Sequence, residues 1–200
     1  MENIQFKQGT IEDSEIATML IEMSAPSFFR ALLGSDFRVL INKLYKTPSS
    51  IFSYQYCKFI MVDGRHAGLV LGYTGKGEFI RTFKSGLVIL KHYKLYSPVV
   101  LIRSILAEKK FLKVEDDEFY LSNLAISPNF RKKGLGKKLL DYVYNESKNL
   151  GLKNIVLDVE ADNEKAISLY QDIGMKKYEK VSATINKEKF SFYIMKQPIK

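Results

Sequence analysis

The stretch from Phe119 to Lys138 constrains the fold of this chain more than any other. An apolar run, Phe119 to Ile126, reads as a strand, Ser127-Pro128-Asn129 ends it, and a helical pattern opens at Gly134 and runs to about Asn149. A strand leading through a short polar loop into a helix requires a sheet on which that helix can pack. The junction is basic: Arg131, Lys132, Lys133, Gly134, Leu135, Gly136, Lys137 and Lys138 follow one another. The first N–H groups of a helix have no intrahelical partner and carry about half a positive charge. Glycines let an anion approach the backbone, so the junction is a candidate pyrophosphate cradle. It is not a Walker loop, because no Gly-Lys-Ser/Thr follows a four-residue spacer, and it lacks the third glycine of a dinucleotide fingerprint. Taken alone, it says no more than an anion site or a solvated basic helix start.

The remaining elements can be placed around this unit. Residues 3–8 read as a first strand. Thr10 and Asp13 have capping-box spacing for a helix to Met23, with Ile16, Met19, Leu20 and Met23 as its apolar stripe. A second helix is expected from Phe28 to Tyr45. Tyr56 to Val62 and His66 to Tyr73 flank Asp63-Gly64, a strong hairpin signal. Residues 78–110 read as helical, with a fresh start at Ser97-Pro98. Leu139, Leu140, Val143 and Leu150 form the stripe of the helix after the basic turn, which Gly151 closes. Ile155 to Val159 is a buried strand, and Glu164 to Ile173 a helix with Ala166, Leu169, Tyr170 and Ile173 on one face. Lys176 to Val181 and Phe190 to Met195 end the chain as a hairpin-like pair. Without a regular βαβ rhythm, the class is α/β with a mixed sheet, or α+β.

Composition narrows the function classes. Two hundred residues, 46% of them hydrophobic, suit one domain over residues 1–200, and no linker or repeat marks a boundary. No run approaches the ~18 apolar residues of a membrane span, and the first residues resemble no signal peptide, so a cytoplasmic protein without a membrane partner is expected. A single cysteine, Cys57, excludes an internal disulfide, and His66 and His92 have no ligand-spaced partners, so no metal is expected. The net charge of +9 comes in blocks: 0 over 1–75, +7 over 76–113, −4 over 114–130, +5 over 131–153, −4 over 154–174 and +5 over 175–200. Alternation of this kind fits separate sites for an anionic and a cationic ligand better than a nucleic-acid tail.

A second motif follows about 27 residues after the glycine turn: Asn163-x-x-Ala166-x-x-Leu169-Tyr170, then Gly174. Together with Leu124-Ala125-Ile126-Ser127-Pro128 and Arg131-x-x-Gly134-x-Gly136, it resembles the GNAT superfamily of acetyl-CoA-dependent N-acetyltransferases. The resemblance is close over residues 118–180 and looser across the N-terminal strand, helices and hairpin. It implies a splayed, mostly antiparallel mixed sheet with helices on both faces and coenzyme A wedged where two central strands part. On that reading the backbone of Leu124, Ala125 and Ile126 pairs with the pantetheine arm. Arg131, Lys132, Lys133, Gly134, Leu135, Gly136 and Lys137 hold the pyrophosphate, and Asn163 contacts the coenzyme. Asn163 also suits a helix N-cap.

The implied reaction is transfer of acetyl from acetyl-CoA to a primary amine of a small molecule or peptide, in a ternary complex. Such an amine, with a Lys-like pKa of ~10.4, must lose a proton before it attacks. The tetrahedral oxyanion needs an N–H donor, and the leaving thiolate benefits from a phenol that donates a proton. The resemblance gives the phenol to Tyr170, whose position also suits a core aromatic. The base is less determined. Asp158 matches an acid of members resembling ribosomal-protein acetyltransferases. The central strand offers Ser122 and Asn123, with Glu118 further back, and a water relay ranks ahead of Asp158 for the role. The run Glu115-Asp116-Asp117-Glu118 could attract a cationic acceptor or form a solvated acidic turn.

The family joins its third and fourth strands by a short turn, whereas here a largely helical, basic insertion at 76–113 intervenes. It could be a specificity element or a packed decoration. Met175 stands where the family has Phe. Two other classes compete: a non-catalytic coenzyme sensor or interaction module, and nucleic-acid binding through 76–113 and 131–138, which no reading motif supports. The amine acceptor is the expected partner, nucleic acid is not, and a homodimer stays open.

Overall fold

The computed structural model describes residues 2–93 and 114–200. A seven-stranded sheet runs through it in the order β1-β2-β3-β4-β5-β7-β6. The strands are β1 (Ile4–Gln8), β2 (Cys57–Val62), β3 (Arg65–Thr74), β4 (Glu118–Ile126), β5 (Asn154–Glu160), β6 (Lys176–Ile185) and β7 (Glu188–Pro198). Every neighbouring pair is antiparallel except β4 and β5. The mixed, mostly antiparallel α/β sheet expected from the sequence is therefore present. Two tight turns set its hairpins. Asp63 and Gly64, at φ 48° and 73°, join β2 to β3, and Asn186 and Lys187, at 51° and 69°, join β6 to β7. Consecutive left-handed residues match the twist of the flanking strands, and Asp and Asn tolerate that region better than most.

Strand alternation sends side chains into two cores. Cys57, Phe59 and Met61 of β2 join one core with α1 (Ser14–Glu22), α2 (Pro26–Leu33), α3 (Phe37–Lys46) and α4 (Glu78–Tyr93). Ile60 and Val62 point the other way, towards α5 (Leu135–Asn149) and α6 (Glu164–Asp172). Helices cover both faces.

Several elements differ from expectation. A 3₁₀ turn, Ile11–Asp13, precedes α1. Asp13 Oδ2 accepts from the Thr10 N–H and hydroxyl, each at 2.9 Å. Its Oδ1 takes the Lys7 ammonium at 2.6 Å and lies 3.1 Å from His66 Nε2. α1 buries Ala17, Leu20 and Ile21, while Met19 is exposed, because the helix packs between the sheet and α3. The single helix expected over 28–45 is two, separated at Gly34, whose φ of 84° ends α2. Leu150 lies beyond the end of α5 and is exposed rather than part of its stripe. The basic insertion does begin as a helix, α4. Its Arg81 is buried, donates to the carbonyls of Thr74, Gly75 and Lys76, and lies 4.1 Å over the Tyr73 ring. That arginine locks the exit of β3. The expected helix start at Ser97-Pro98 and the rest of 94–113 fall outside the described residues.

Two irregularities in the centre of the sheet shape the site. β4 and β5 pair at only three positions, Glu118 with Asn154, Phe119 with Ile155 and Tyr120 with Val156. Beyond them the strands part, leaving the β5-facing edge of Leu121 to Ile126 without a strand partner. β4 also carries a bulge. Leu71 pairs with Asn123 but Gly72 with Leu121, so Ser122 is an extra residue. The bulge inverts the alternation. Leu121 belongs to the α5/α6 core, whereas Ala125 belongs to the α1–α4 core.

Candidate active site

At the open end of β4 the chain makes a 3₁₀ turn, Pro128–Phe130, and enters α5. Phe130 and Leu135 are buried and anchor the turn from below. Lys132 and Gly134 both adopt left-handed backbone, at φ 63° and 71°. Left-handed residues interspersed along such a turn direct successive N–H groups into one concavity, the geometry of a backbone anion nest. The two glycines serve different ends. Gly134 supplies the positive φ and has open space beside it, whereas a Cβ on Gly136 would stand 3.2 Å from Leu169 Cδ2. Gly136 therefore lets α5 approach α6 closely. Arg131 Nε donates to the Ile126 carbonyl at 3.2 Å and ties the turn to the strand end. Lys133 is drawn aside, paired with Glu2 and near the Phe130 ring.

A cavity of about 250 Å³ opens where β4 and β5 part, and it passes from one face of the sheet to the other. Asn163, Ala166 and Tyr170 border it on the α6 side. Tyr120, Ser122, Asn123, Leu124 and Asp158 line its middle, and Phe28, Phe29 and Leu32 of α2 close the opposite side. Asn163 caps α6, its Oδ1 accepting from the Ala166 N–H at 3.2 Å. The capping reading of Asn163 is thus present, on the rim of the cavity.

Tyr170 is buried, and no hydrogen bond to its hydroxyl is found among the described residues. Burial, and secondarily the charge of Asp158, push its phenol well above the ordinary value, so it is protonated at neutral pH. Asp158 lies across the cavity from it, on β5. Burial raises the Asp158 carboxyl, and the hydrogen bond from the Tyr120 hydroxyl, 2.6 Å from its Oδ1, works against that rise. Burial, followed by Asp158, likewise raises Tyr120 well above its usual range. Glu160, two residues on, is raised by burial and by Asp162.

Tyr120 was not anticipated from the sequence. Its signal would have been a tyrosine on the central strand in register with β5, legible only once that pairing is known. A small relay at the bulge was also missed. Ser122 Oγ donates to Asn123 Oδ1 at 3.0 Å, Asn123 Nδ2 donates to Ser24 Oγ at 2.8 Å, and Ser24 donates to the Ile21 carbonyl at 2.6 Å. It fixes the end of α1 against the bulge. Glu118, weighed as a distant acid, stands outside the cavity. It is 3% exposed and holds Lys196 at 3.1 Å and Asn154 at 3.2 Å, closing the paired end of β4 and β5. Asp117 pairs with Lys153 at 2.6 Å. Both of these members of the acidic run are held in ion pairs and lie outside the cavity lining. Among the described residues, no group of three His, Cys, Asp or Glu could hold a metal ion.

The splayed pair, the glycine turn and the cavity between them define a class. Residues 55–175 match the family model described as Acetyltransferase (GNAT) family, and the chain belongs to that family. Among curated proteins, it is similar to the [Ribosomal protein bS18]-alanine N-acetyltransferase of Salmonella typhimurium, 40% identical over 58 residues, 29% of this chain and 39% of that protein. It is also similar to N-alpha-acetyltransferase 30 of Schizosaccharomyces pombe, 37% identical over 62 residues, 31% of this chain and 41% of that protein. The chain thus spans about two fifths of these curated relatives. In fold it is similar to the crystal structure of an N-acetyltransferase from Staphylococcus aureus Mu50, with a TM-score of 0.69 and 22% identity, covering 95% of this chain and 99% of that one.

Proposed function

We propose that this chain transfers the acetyl group of acetyl-CoA to a primary amine by direct attack in a ternary complex. The observation that carries the reading is the convergence of Tyr170 and Asp158 on one cavity at the strand splay, beside the unpaired edge of β4. The residues present fit the coenzyme. The turn from Arg131 to Gly136, exposed from Arg131 to Gly134, offers backbone N–H groups and cationic side chains to a pyrophosphate, with Lys137 behind them. Leu124, Ala125 and Ile126 pair with β3 on one side only, leaving alternate backbone groups open to an extended arm. Asn163 borders the path between them.

Each side chain then has a task. Asp158, raised by burial, accepts the proton of the incoming ammonium more readily than an ordinary aspartate. Tyr120 orients that carboxylate through its hydroxyl. Tyr170, held protonated, donates to the departing thiolate. The bulge at Ser122 turns backbone groups towards the splay, where an N–H can meet a developing oxyanion. The named relatives act on a ribosomal-protein alanine and on α-amino groups, which supports an amine acceptor here. No metal enters this scheme.

Titration calorimetry with acetyl-CoA, followed by a thiol-release assay over an amine panel, tests the proposal. Binding near or below about 100 µM together with amine-dependent thiol release is expected. Tight binding without release for any amine would instead favour a coenzyme sensor.

A further inference from the structure

The acceptor side of the cavity has a composition of its own. On the α2 face its wall is aromatic. Phe28 packs edge-on against Phe192 at 5.2 Å and Phe190 at 5.6 Å, and Phe29 meets Phe52 at 5.7 Å. The β6–β7 hairpin fixes this wall. Its turn residue Asn186 donates to the Ala31 carbonyl at 2.7 Å, and Ala183 and Ile185 pack on Ala31. Asp158 and Glu160 alternate along β5, so both carboxylates face the same side as Phe192, which is paired directly with Glu160. The described lining carries these two carboxylates and no Lys, Arg or His.

Charge and surface therefore select the ligand together. Two poorly hydrated carboxylates disfavour an anionic acceptor and favour an ammonium. The ring wall rewards an apolar group beside that ammonium and offers nothing to a phosphate or a sugar hydroxyl. A long polyamine would need carboxylates spaced along a channel, whereas these two stand together at one edge.

We infer that the acceptor is a primary amine bearing an adjacent apolar group of leucine or phenyl size, its ammonium set between Asp158 and Glu160 and its apolar group against Phe28 and Phe192. The inference rests on the transferase reading above and specifies its acceptor. Two sources share this chemistry, an arylalkylamine and a polypeptide N-terminus that begins with a large apolar residue.

Thiol release from acetyl-CoA would be followed with 2-phenylethylamine, a short peptide beginning with Leu, the same peptide beginning with Gly, spermidine and glucosamine 6-phosphate. The expected result is a kcat/KM for 2-phenylethylamine or the Leu peptide at least about tenfold above the other three. Whichever of the two leads identifies the source. Phe28→Ala lowers kcat/KM for the preferred amine about tenfold and that for the Gly peptide much less, while Phe28→Leu restores most of the loss. Glu160→Gln raises KM for the preferred amine with kcat nearly unchanged. Retained acetyl-CoA affinity shows that each variant is folded. Equal or faster transfer to spermidine, the Gly peptide or glucosamine 6-phosphate would overturn the inference and leave the transferase reading standing. Coenzyme binding with no transfer to any amine would overturn both.

Discussion

The two ends of the proposed site, the glycine turn and the cavity at the strand splay, are built in opposite ways. The glycine turn is local. Eight consecutive residues supply its backbone N–H groups and its cations, and most of them are exposed. The acceptor end is assembled from afar, with Phe28 on α2, Tyr120 on β4, Asp158 on β5 and Phe192 on β7 brought to one place. A turn that binds through backbone can change side chains freely, whereas a wall of interlocked rings and paired carboxylates cannot. Affinity for the donor should therefore survive most single substitutions at its end, and turnover should not survive them at the other.

The sharpest attempt to break that contrast is Tyr170→Phe. It removes only a hydroxyl that has no hydrogen-bond partner among the described residues, so fold and coenzyme affinity should be retained. kcat should drop by about 10²- to 10³-fold. An unchanged kcat would remove Tyr170 from the chemistry and return it to the core.

Asp158→Asn comes next, with a loss of about 30- to 100-fold and an altered pH profile. The carboxylate form accepts the proton, so kcat/KM rises as pH passes upward through its apparent pKa. Burial places that acid limb above the ordinary aspartate value of about 3.9. The variant should lose this limb and keep only the dependence due to the amine. An acid limb that persists unchanged would assign the base elsewhere.

At the donor end, Gly134→Val should weaken acetyl-CoA by about tenfold, since φ of 71° strains a β-branched residue by about 1–2 kcal/mol. Calorimetry reads this directly, and kcat at saturating coenzyme should barely move. Lys133→Gln is the mildest. Its ammonium is already paired with Glu2, so a change in coenzyme affinity of about twofold or less is expected. A larger loss would show that the side chain leaves Glu2 to meet the phosphates.

The same contrast explains what the sequence disclosed. The donor end rests on contiguous residues, so the strand into Ile126, the break at Pro128 and the helix after Gly134 were all legible. So was the Asp63-Gly64 hairpin, which depends on two adjacent backbone angles. Tyr120 was not, because its partner Asp158 lies 38 residues away and their meeting depends on a three-position pairing. The ring wall was equally hidden, since nothing near Phe28 announces Phe192. The break at Gly34 was missed because apolar periodicity continues across it. Met19 and Leu150 were misplaced for a related reason: spacing defines a stripe, but neighbouring elements decide where that stripe begins and ends. Glu118 looked like a reserve acid until β5 and β7 supplied Asn154 and Lys196 to hold it.

The bulge at Ser122 also has a consequence for how this chain can vary. A deletion in a surface loop costs a protein little, but removing this one residue would restore strict alternation along β4. Asn123, Leu124, Ala125 and Ile126 would keep their faces and their partners on β3, but the local kink and the unpaired backbone that Ser122 adds beside the splay would be lost. The length of the central strand is thus a coded quantity. Insertions can be accommodated between β3 and β4, as the helical segment starting at Glu78 demonstrates, while loss of Ser122 from the middle of β4 would leave both cores in place and reshape the cavity alone.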